Sequence, residues 1–171
     1  DGLEVPLWIL GSSTDSAHLA AKLGLPYAFA SHFAPEQIQH ASQIYKNEFQ
    51  PSEKWPEPYF LACVNAVIAD TEDEARRLST SLYQMFLGII RNDRKPMQKP
   101  VDSMDEIWSE EEENIVYQKL SCSFIGTKDS VKSDLQRFCD VLEIDELMIT
   151  SPIYDHQARL KSFGLFKQAM S

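Results

Sequence analysis

A cluster of hydroxyl side chains follows the first apolar segment of the chain. Residues 6–10 are apolar, Gly11 ends the segment, and a helical pattern begins near Asp15. This order predicts a strand, a tight turn and the N-terminus of a helix. Unpaired backbone N–H groups and the positive end of a helix dipole meet at such a turn, so it suits a phosphate group. The hydroxyl residues at this turn are Ser12, Ser13, Thr14 and Ser16. Serine and threonine are also typical helix caps, so the alternative interpretation is that these residues only cap the helix and bind no phosphate.

The composition predicts a globular protein. The chain has 171 residues, of which 43% are hydrophobic and 25% charged, so we expect a single domain over residues 1–171. A formal net charge of −10 argues against nucleic acid or an anionic membrane as the main partner. Three cysteines without metal-ligand spacing disfavour both a disulfide framework and a metal site, and they favour the reducing cytoplasm. Because the chain begins at Asp1 rather than Met, we expect either a processed product or a piece of a longer protein.

Strand-like and helix-like segments alternate along the chain. Predicted strands cover residues 6–10, 27–30, 59–68 and 147–150. Segment 91–126 contains a polar stretch with two prolines and four consecutive glutamates, which predicts an excursion outside the repeating unit with a short helix near 109–118. The order β-α-β-α-β-α, excursion, α-β-α predicts an α/β fold whose parallel strands are joined by crossovers.

Helix-start and helix-stop signals flank the predicted helices. Thr71 and Glu74 form the capping-box pattern, in which the threonine accepts a bond from the glutamate N–H and the glutamate side chain reaches back. Thr127 and Asp155 precede two further apolar-periodic segments, and Gly24 is placed to end the first helix.

Several blocks of residues, taken together and in this order, resemble the bacterial-luciferase-like flavin monooxygenase family. Each block alone is a weak signal, whereas the set spans nearly the whole chain. The blocks are Pro6–Ser13, Leu23–Phe33, Ala69–Leu78, Asp145–Thr150 and Tyr154–Leu160.

The resemblance implies a TIM-type (β/α)8 barrel that uses reduced FMN and O2 to oxidise a small organic substrate. Such a barrel needs ~250 residues, so this chain corresponds to about the last four β/α units. A flavin reductase is then the expected source of reduced FMN, and either a homodimer or a missing N-terminal half is expected to complete the barrel. The alternative is a non-catalytic flavin-binding or assembly module.

The resemblance also implies roles for individual residues. Ser13 and Ser16, with Ser12 and Thr14 beside them, are expected to bind the FMN phosphate. His32 follows the second predicted strand, at the end where barrel active sites gather. Its neutral imidazole, with an ordinary pKa near ~6.5, suits hydrogen bonding or proton transfer. His32 is therefore the candidate catalytic residue, and a loop histidine without a catalytic task is the alternative.

The resemblance further predicts which strand residues look into the barrel. Trp8, Tyr27 and Phe29 are expected on the interior face, together with Val64 or Asn65. Asn65 either points into the interior or pairs with a neighbour; the sequence leaves both open.

Overall fold

The computed structural model describes Gly2 and residues 5–170. The chain divides into two compact units, of which the first is formed by the chain up to Cys63 together with Cys139–Met148. The second consists of Val64–Phe138 and the chain from Ile149 onward. The sequence-based division into one domain with an excursion at 91–126 stays a prediction. Within the described residues, no helix is both long and apolar enough to cross a membrane.

The first unit is built on parallel strands. Strand β1 runs parallel to β2, with Ile9 opposite Tyr27, and β2 runs parallel to the start of β3, with Tyr27 opposite Phe60. A 3-10 turn at Pro35–Gln37 leads into the second helix. The elements are β1 (Ile9–Gly11), α1 (Thr14–Leu23), β2 (Tyr27–Phe29), α2 (Ile38–Glu48) and β3 (Phe60–Ala69).

The second unit contains the end of β3 and most of the remaining elements. The end of β3 runs parallel to the next strand, with Asn65 opposite Ser123. The last strand begins in the first unit, ends in the second and pairs with β3. The remaining elements are α3 (Glu72–Ile90), α4 (Glu110–Lys119), β4 (Ser123–Thr127), α5 (Lys128–Leu142), β5 (Glu146–Thr150) and α6 (His156–Ala169). The predicted α/β alternation and the parallel pairing are confirmed.

Aromatic side chains form the core of the first unit. The rings of Tyr27 and Tyr45 lie 5.3 Å apart between centroids, and those of Tyr27 and Phe60 lie 5.6 Å apart. The Tyr45 hydroxyl lies within hydrogen-bond distance of the Leu25 carbonyl (2.9 Å), and burial raises the pKa of Tyr45 to about 12. The phenol is therefore a neutral donor at physiological pH.

The predicted orientation of β2 is wrong. Tyr27 and Phe29 are fully buried and pack against each other, and Tyr27 also packs against Tyr45 of α2, so neither faces the cleft described below. Because side chains alternate along a strand, Ala28 and Ala30 take the other face. Both faces of a parallel sheet are normally covered, so hydrophobicity alone did not distinguish them.

The predicted helix ends are found where the capping residues stand. Gly24 ends α1 with φ of +59°, its N–H facing the Ala20 and Ala21 carbonyls, and a Cβ there would lie 2.3 Å from the Gln50 carbonyl oxygen. Only glycine fits this position without strain. Thr71 accepts the predicted bond from the Glu74 N–H at 3.2 Å.

Strand β4 is a finding that the sequence pattern did not predict. The sequence pattern predicts four strands, whereas Ser123–Thr127 forms a fifth, which pairs with the end of β3 along five residues. This strand is short, contains a glycine and lies within a polar region, so it lacks the continuous apolar signal of the others. The short helix expected near 109–118 is confirmed as α4.

Candidate functional site

An open cleft of about 680 Å³ lies wholly within the first unit, on the face of the strands opposite the aromatic core. Leu10 of β1 stands beside Ala28 of β2, and Ala28 stands beside Leu61 of β3. These three side chains form one layer across three parallel strands, and Met148 of β5 joins the lining. The layered arrangement follows from the period-two alternation of strand side chains.

The hydroxyl cluster lies at one end of this cleft. Gly11 and Ser12 line the cleft, and Ser13 is the N-cap of α1. Ser13 and Ser16 form a reciprocal capping box, in which each hydroxyl accepts the other residue's backbone N–H at 3.4 Å. The Thr14 N–H donates to the side-chain oxygen of Gln37 at 3.1 Å. The structure therefore brings the predicted serines and Thr14 together in one helix turn.

Close packing holds this turn in place. The Ser16 hydroxyl donates to the Ser13 carbonyl at 2.7 Å and lies 2.8 Å from the Tyr27 hydroxyl. A Cβ on Gly11 would lie 2.1 Å from the Ser16 oxygen, so a glycine is needed there. These contacts show the capping role directly. The role of Ser12, Ser13, Thr14 and Ser16 in binding a phosphate stays a prediction.

His32 lines the same cleft as Ser12. Its ring stands edge-on to Phe33, with 4.9 Å between ring centroids. Burial lowers the pKa of His32 below its ordinary value of 6.5, so the imidazole is neutral at pH 7. A neutral imidazole has one ring nitrogen that can accept a proton. The catalytic role of His32 stays a prediction.

Asn65 belongs to a buried polar group in the second unit. Its side-chain amide donates to the Ser123 hydroxyl at 3.1 Å, and its oxygen accepts from the Thr150 hydroxyl at 2.8 Å. Pairing with neighbours, one of the two alternatives that the sequence left open, is therefore observed.

Several cleft residues were not found from the sequence. Leu61, Cys63, Glu146 and Met148 line the cleft, and burial raises the pKa of the Cys63 thiol, which favours its protonated form. The available signal was the alternation of side chains. Because side chains alternate along a strand, placing the even-numbered residues of β2 on the cleft face assigns Ala28 to it. The parallel register then assigns its partners Leu10 of β1 and Leu61 of β3 to the same face.

The alternating elements define a parallel α/β protein with one face of its strands lining an apolar cleft, and sequence comparison identifies the family. Residues 1–138 match the luciferase-like monooxygenase family model. A luciferase-like monooxygenase of Escherichia coli K12 is 43% identical over 164 residues, covering 96% of this chain and 49% of that protein. The chain belongs to the luciferase-like monooxygenase family. It spans about half the length of the curated relatives it matches.

Solved structures agree with this fold. The crystal structure of apo-MsnO8 superposes with a TM-score of 0.80 at 27% identity, covering 96% of this chain and 51% of that one. The oxygenating constituent of the 3,6-diketocamphane monooxygenase of Pseudomonas putida, in complex with FMN, gives a TM-score of 0.60 at 14% identity, with coverages of 96% and 47%. The second likeness concerns the fold alone. The expected α/β fold of the TIM-type barrel family, with this chain corresponding to about half of such a barrel, is confirmed.

Proposed function

We propose that this chain is part of an FMN-dependent monooxygenase that uses reduced flavin and O2 to oxidise a small organic substrate. The observation that carries the proposal is the continuity of the apolar cleft with the N-terminus of α1. The cleft volume of about 680 Å³ falls in the range of roughly 300–1,000 Å³ that is typical of small-molecule sites. Family membership and the FMN complex of one structural neighbour support the choice of cofactor.

The residues present fit the two chemically different parts of FMN. The phosphate would be held at the α1 N-terminus by the residues Ser12, Ser13, Thr14 and Ser16, where amides, hydroxyls and the helix dipole favour an anion. The flat ring system would lie against the apolar lining, which includes Leu10, Leu61 and Met148. The N-terminus of α1 and the apolar lining of the cleft adjoin at Gly11 and Ser12.

The chain's own residues would bind the flavin and shield the reacting groups from water. When bound, reduced FMN would supply the electrons for the reaction with O2. The apolar lining would exclude water from the reacting groups. His32 would accept or return a proton at its unprotonated ring nitrogen, since burial keeps its imidazole neutral. A flavin reductase in the cytoplasm would deliver the reduced cofactor.

An FMN titration of two variants at the helix cap tests the proposal. Asp and Asn cap helices as well as Ser does, so Ser13→Asp and Ser13→Asn both keep α1 while only the first adds a negative charge. We expect Ser13→Asp to weaken FMN binding about tenfold or more and Ser13→Asn to bind within about threefold of the native chain. Equal FMN affinities of the two variants would contradict phosphate binding at this turn.

A further inference from the structure

A glutamine side chain reaches the hydroxyl cluster from a neighbouring connection. The Thr14 N–H, at the first residue of α1, donates to the side-chain oxygen of Gln37 at 3.1 Å, across 23 residues of sequence. Gln37 is the N-cap residue of α2, yet among the described residues its side chain forms no capping bond to that helix. The carboxamide of Gln37 therefore caps the start of α1 instead of its own helix.

Gln37 lies at the carboxyl ends of the parallel strands. It closes the connection 30–37, which follows β2 and leads into α2. The same connection carries His32, which lines the cleft together with Ser12. Active sites of TIM-type barrels are formed by the connections that follow the strands. One connection thus contributes His32 to the cleft and Gln37 to the N-terminus of α1.

Three N–H groups at the start of α1 have acceptors within the protein. Those of Ser13 and Ser16 bond to each other's hydroxyl in the capping box, at 3.4 Å each, and that of Thr14 bonds to Gln37. The capping box stabilises the helix itself, whereas Gln37 is an exposed residue at the end of a 3-10 turn. A phosphate oxygen at the Thr14 N–H therefore has to displace the Gln37 oxygen, and it can leave the capping box intact.

The displaced carboxamide has a donor of its own. A glutamine side chain carries a carbonyl oxygen and an NH2 group on the same carbon, so a half-turn about its last bond exchanges the acceptor for a donor. A neutral hydrogen bond to the Thr14 N–H is then exchanged for a hydrogen bond to an ionised oxygen, which is roughly twice as strong. The exchange at Gln37 therefore favours the phosphate-bound state.

We propose that Gln37 is a binding residue for the flavin phosphate. Its side-chain oxygen holds the Thr14 N–H in the free protein, and its NH2 group donates to the phosphate once a phosphate oxygen takes that N–H. The inference rests on the proposed function, which places the phosphate at this helix start without Gln37. It makes Gln37 one of the residues that distinguish FMN from riboflavin, which lacks the phosphate.

Titrations of the full chain with FMN and with riboflavin test the inference. Gln37→Met keeps a long unbranched side chain without donor or strong acceptor, and Gln37→Glu keeps the acceptor for Thr14 and adds a negative charge. We expect FMN binding to weaken about three- to tenfold in Gln37→Met and more than about tenfold in Gln37→Glu, with riboflavin binding unchanged in both. FMN binding by Gln37→Met as tight as that of the native chain, or tighter, would overturn the inference, because Gln37 would then only compete with the phosphate.

Gln39→Met and Gln39→Glu are the matched controls, since Gln39 is exposed on α2 two residues further along. Both should bind FMN within about twofold of the native chain. A structural effect of Gln37→Met on the connection would weaken FMN and riboflavin binding to the same extent, and that result would contradict a contact with the phosphate.

Nuclear magnetic resonance of the native chain follows the exchange directly. The side-chain NH2 signals of Gln37 and the backbone N–H signal of Thr14 should shift together when FMN is added. Inorganic phosphate, as a second probe, should shift both signals in the same direction at higher concentration, whereas riboflavin should not. Gln37 signals that stay in place at saturating FMN would overturn the inference.

Ser13→Asp keeps this inference separate from the proposed function. FMN binding that weakens in Ser13→Asp but in neither Gln37 variant would support a phosphate at the helix start and overturn the role of Gln37. Equal affinities of the native chain for FMN and riboflavin would overturn both proposals.

Discussion

The Glu72 side chain bonds to Thr127, 55 residues further along the chain, through both its backbone and its side chain. One carboxylate oxygen of Glu72 accepts the Thr127 N–H at 3.1 Å and the Thr127 hydroxyl at 3.0 Å. The Ser130 hydroxyl donates to the same oxygen at 2.8 Å. The first residue of α3 thereby satisfies donors at the N-terminus of α5. These bonds, that from Ser130 first, lower the pKa of Glu72 below its ordinary value of 4.5.

Replacing Glu72 by Gln should therefore destabilise the protein in a pH-dependent way. A carboxyl group whose pKa is lowered on folding adds stability above its ordinary pKa, and this stability is lost as the pH falls through the lowered value. At pH 7 we expect Glu72→Gln to unfold a few degrees below the native chain, and the difference should shrink below pH 4.5. Thermal unfolding followed by circular dichroism at pH 7, 5 and 3 measures this.

Glu111→Gln is the matched control, because it removes an exposed carboxylate from the first turn of α4. Its unfolding temperature should differ little from that of the native chain. A difference between Glu72→Gln and the native chain that stays constant from pH 7 to pH 3 would contradict the role given to the charged form.

The buried hydroxyl of Ser162 stabilises the second unit by serving as an acceptor. It accepts the Ile68 N–H and the Ser151 hydroxyl, each at 3.0 Å, and Ser162 is only 1% exposed. Ser162→Ala leaves both donors buried without this acceptor, so we expect a loss of roughly 2 kcal/mol in the free energy of unfolding. Urea unfolding measures it. Ser133→Ala, at an exposed position of α5, should change it by less than about 0.5 kcal/mol, and equal effects would contradict the argument.

Two glycines with opposite surroundings should respond oppositely to a methyl group. In Gly11→Ala, the Cβ would lie 2.1 Å from the Ser16 hydroxyl oxygen, whereas nothing lies within 4 Å of a Cβ on Gly164 in α6. We expect Gly11→Ala to cost more than about 1 kcal/mol and Gly164→Ala to stabilise by about 0.5–1 kcal/mol through helix propensity. Denaturant midpoints compare the two. If Gly11→Ala proves neutral, the close packing of the α1 cap is not as described.

Apart from strand β4, the order of the elements follows from the sequence, whereas the choice of face does not. Apolar segments predict where the strands and helices lie, and capping residues such as Thr71 and Gly24 predict where helices begin and end. Tyr27 and Ala28, by contrast, are adjacent residues of a strand that is apolar on both sides, and only the packing of Tyr27 against Tyr45 decides which one looks into the cleft. The partner of Glu146, Tyr59, lies 87 residues away, a separation that no local pattern encodes.

The same limit applies to the hydroxyl cluster. Residue types at Ser13 and Ser16 predict a helix start equally well with or without a ligand, and the structure confirms the cap through their reciprocal bonds. The sequence could place these hydroxyls at the end of a strand. It could not place them at the end of an apolar cleft, because the cleft is formed by residues from four separate strands.

The exposed apolar lining of the cleft predicts association in solution. Leu10 is 71% and Met148 54% exposed, and contiguous apolar surface of this kind marks an interaction site. We expect the chain to sediment above its monomer mass of 19.5 kDa at micromolar concentration, either as a homodimer or with a partner that supplies the other half of the barrel.

Leu10→Glu should shift the sedimentation distribution towards the monomer, because a charge in the apolar face of the cleft opposes the burial of that face in an assembly. Leu23→Glu, at an exposed leucine on α1 outside the cleft lining, should leave the distribution unchanged. A native chain that sediments as a monomer would show that this face needs no cover.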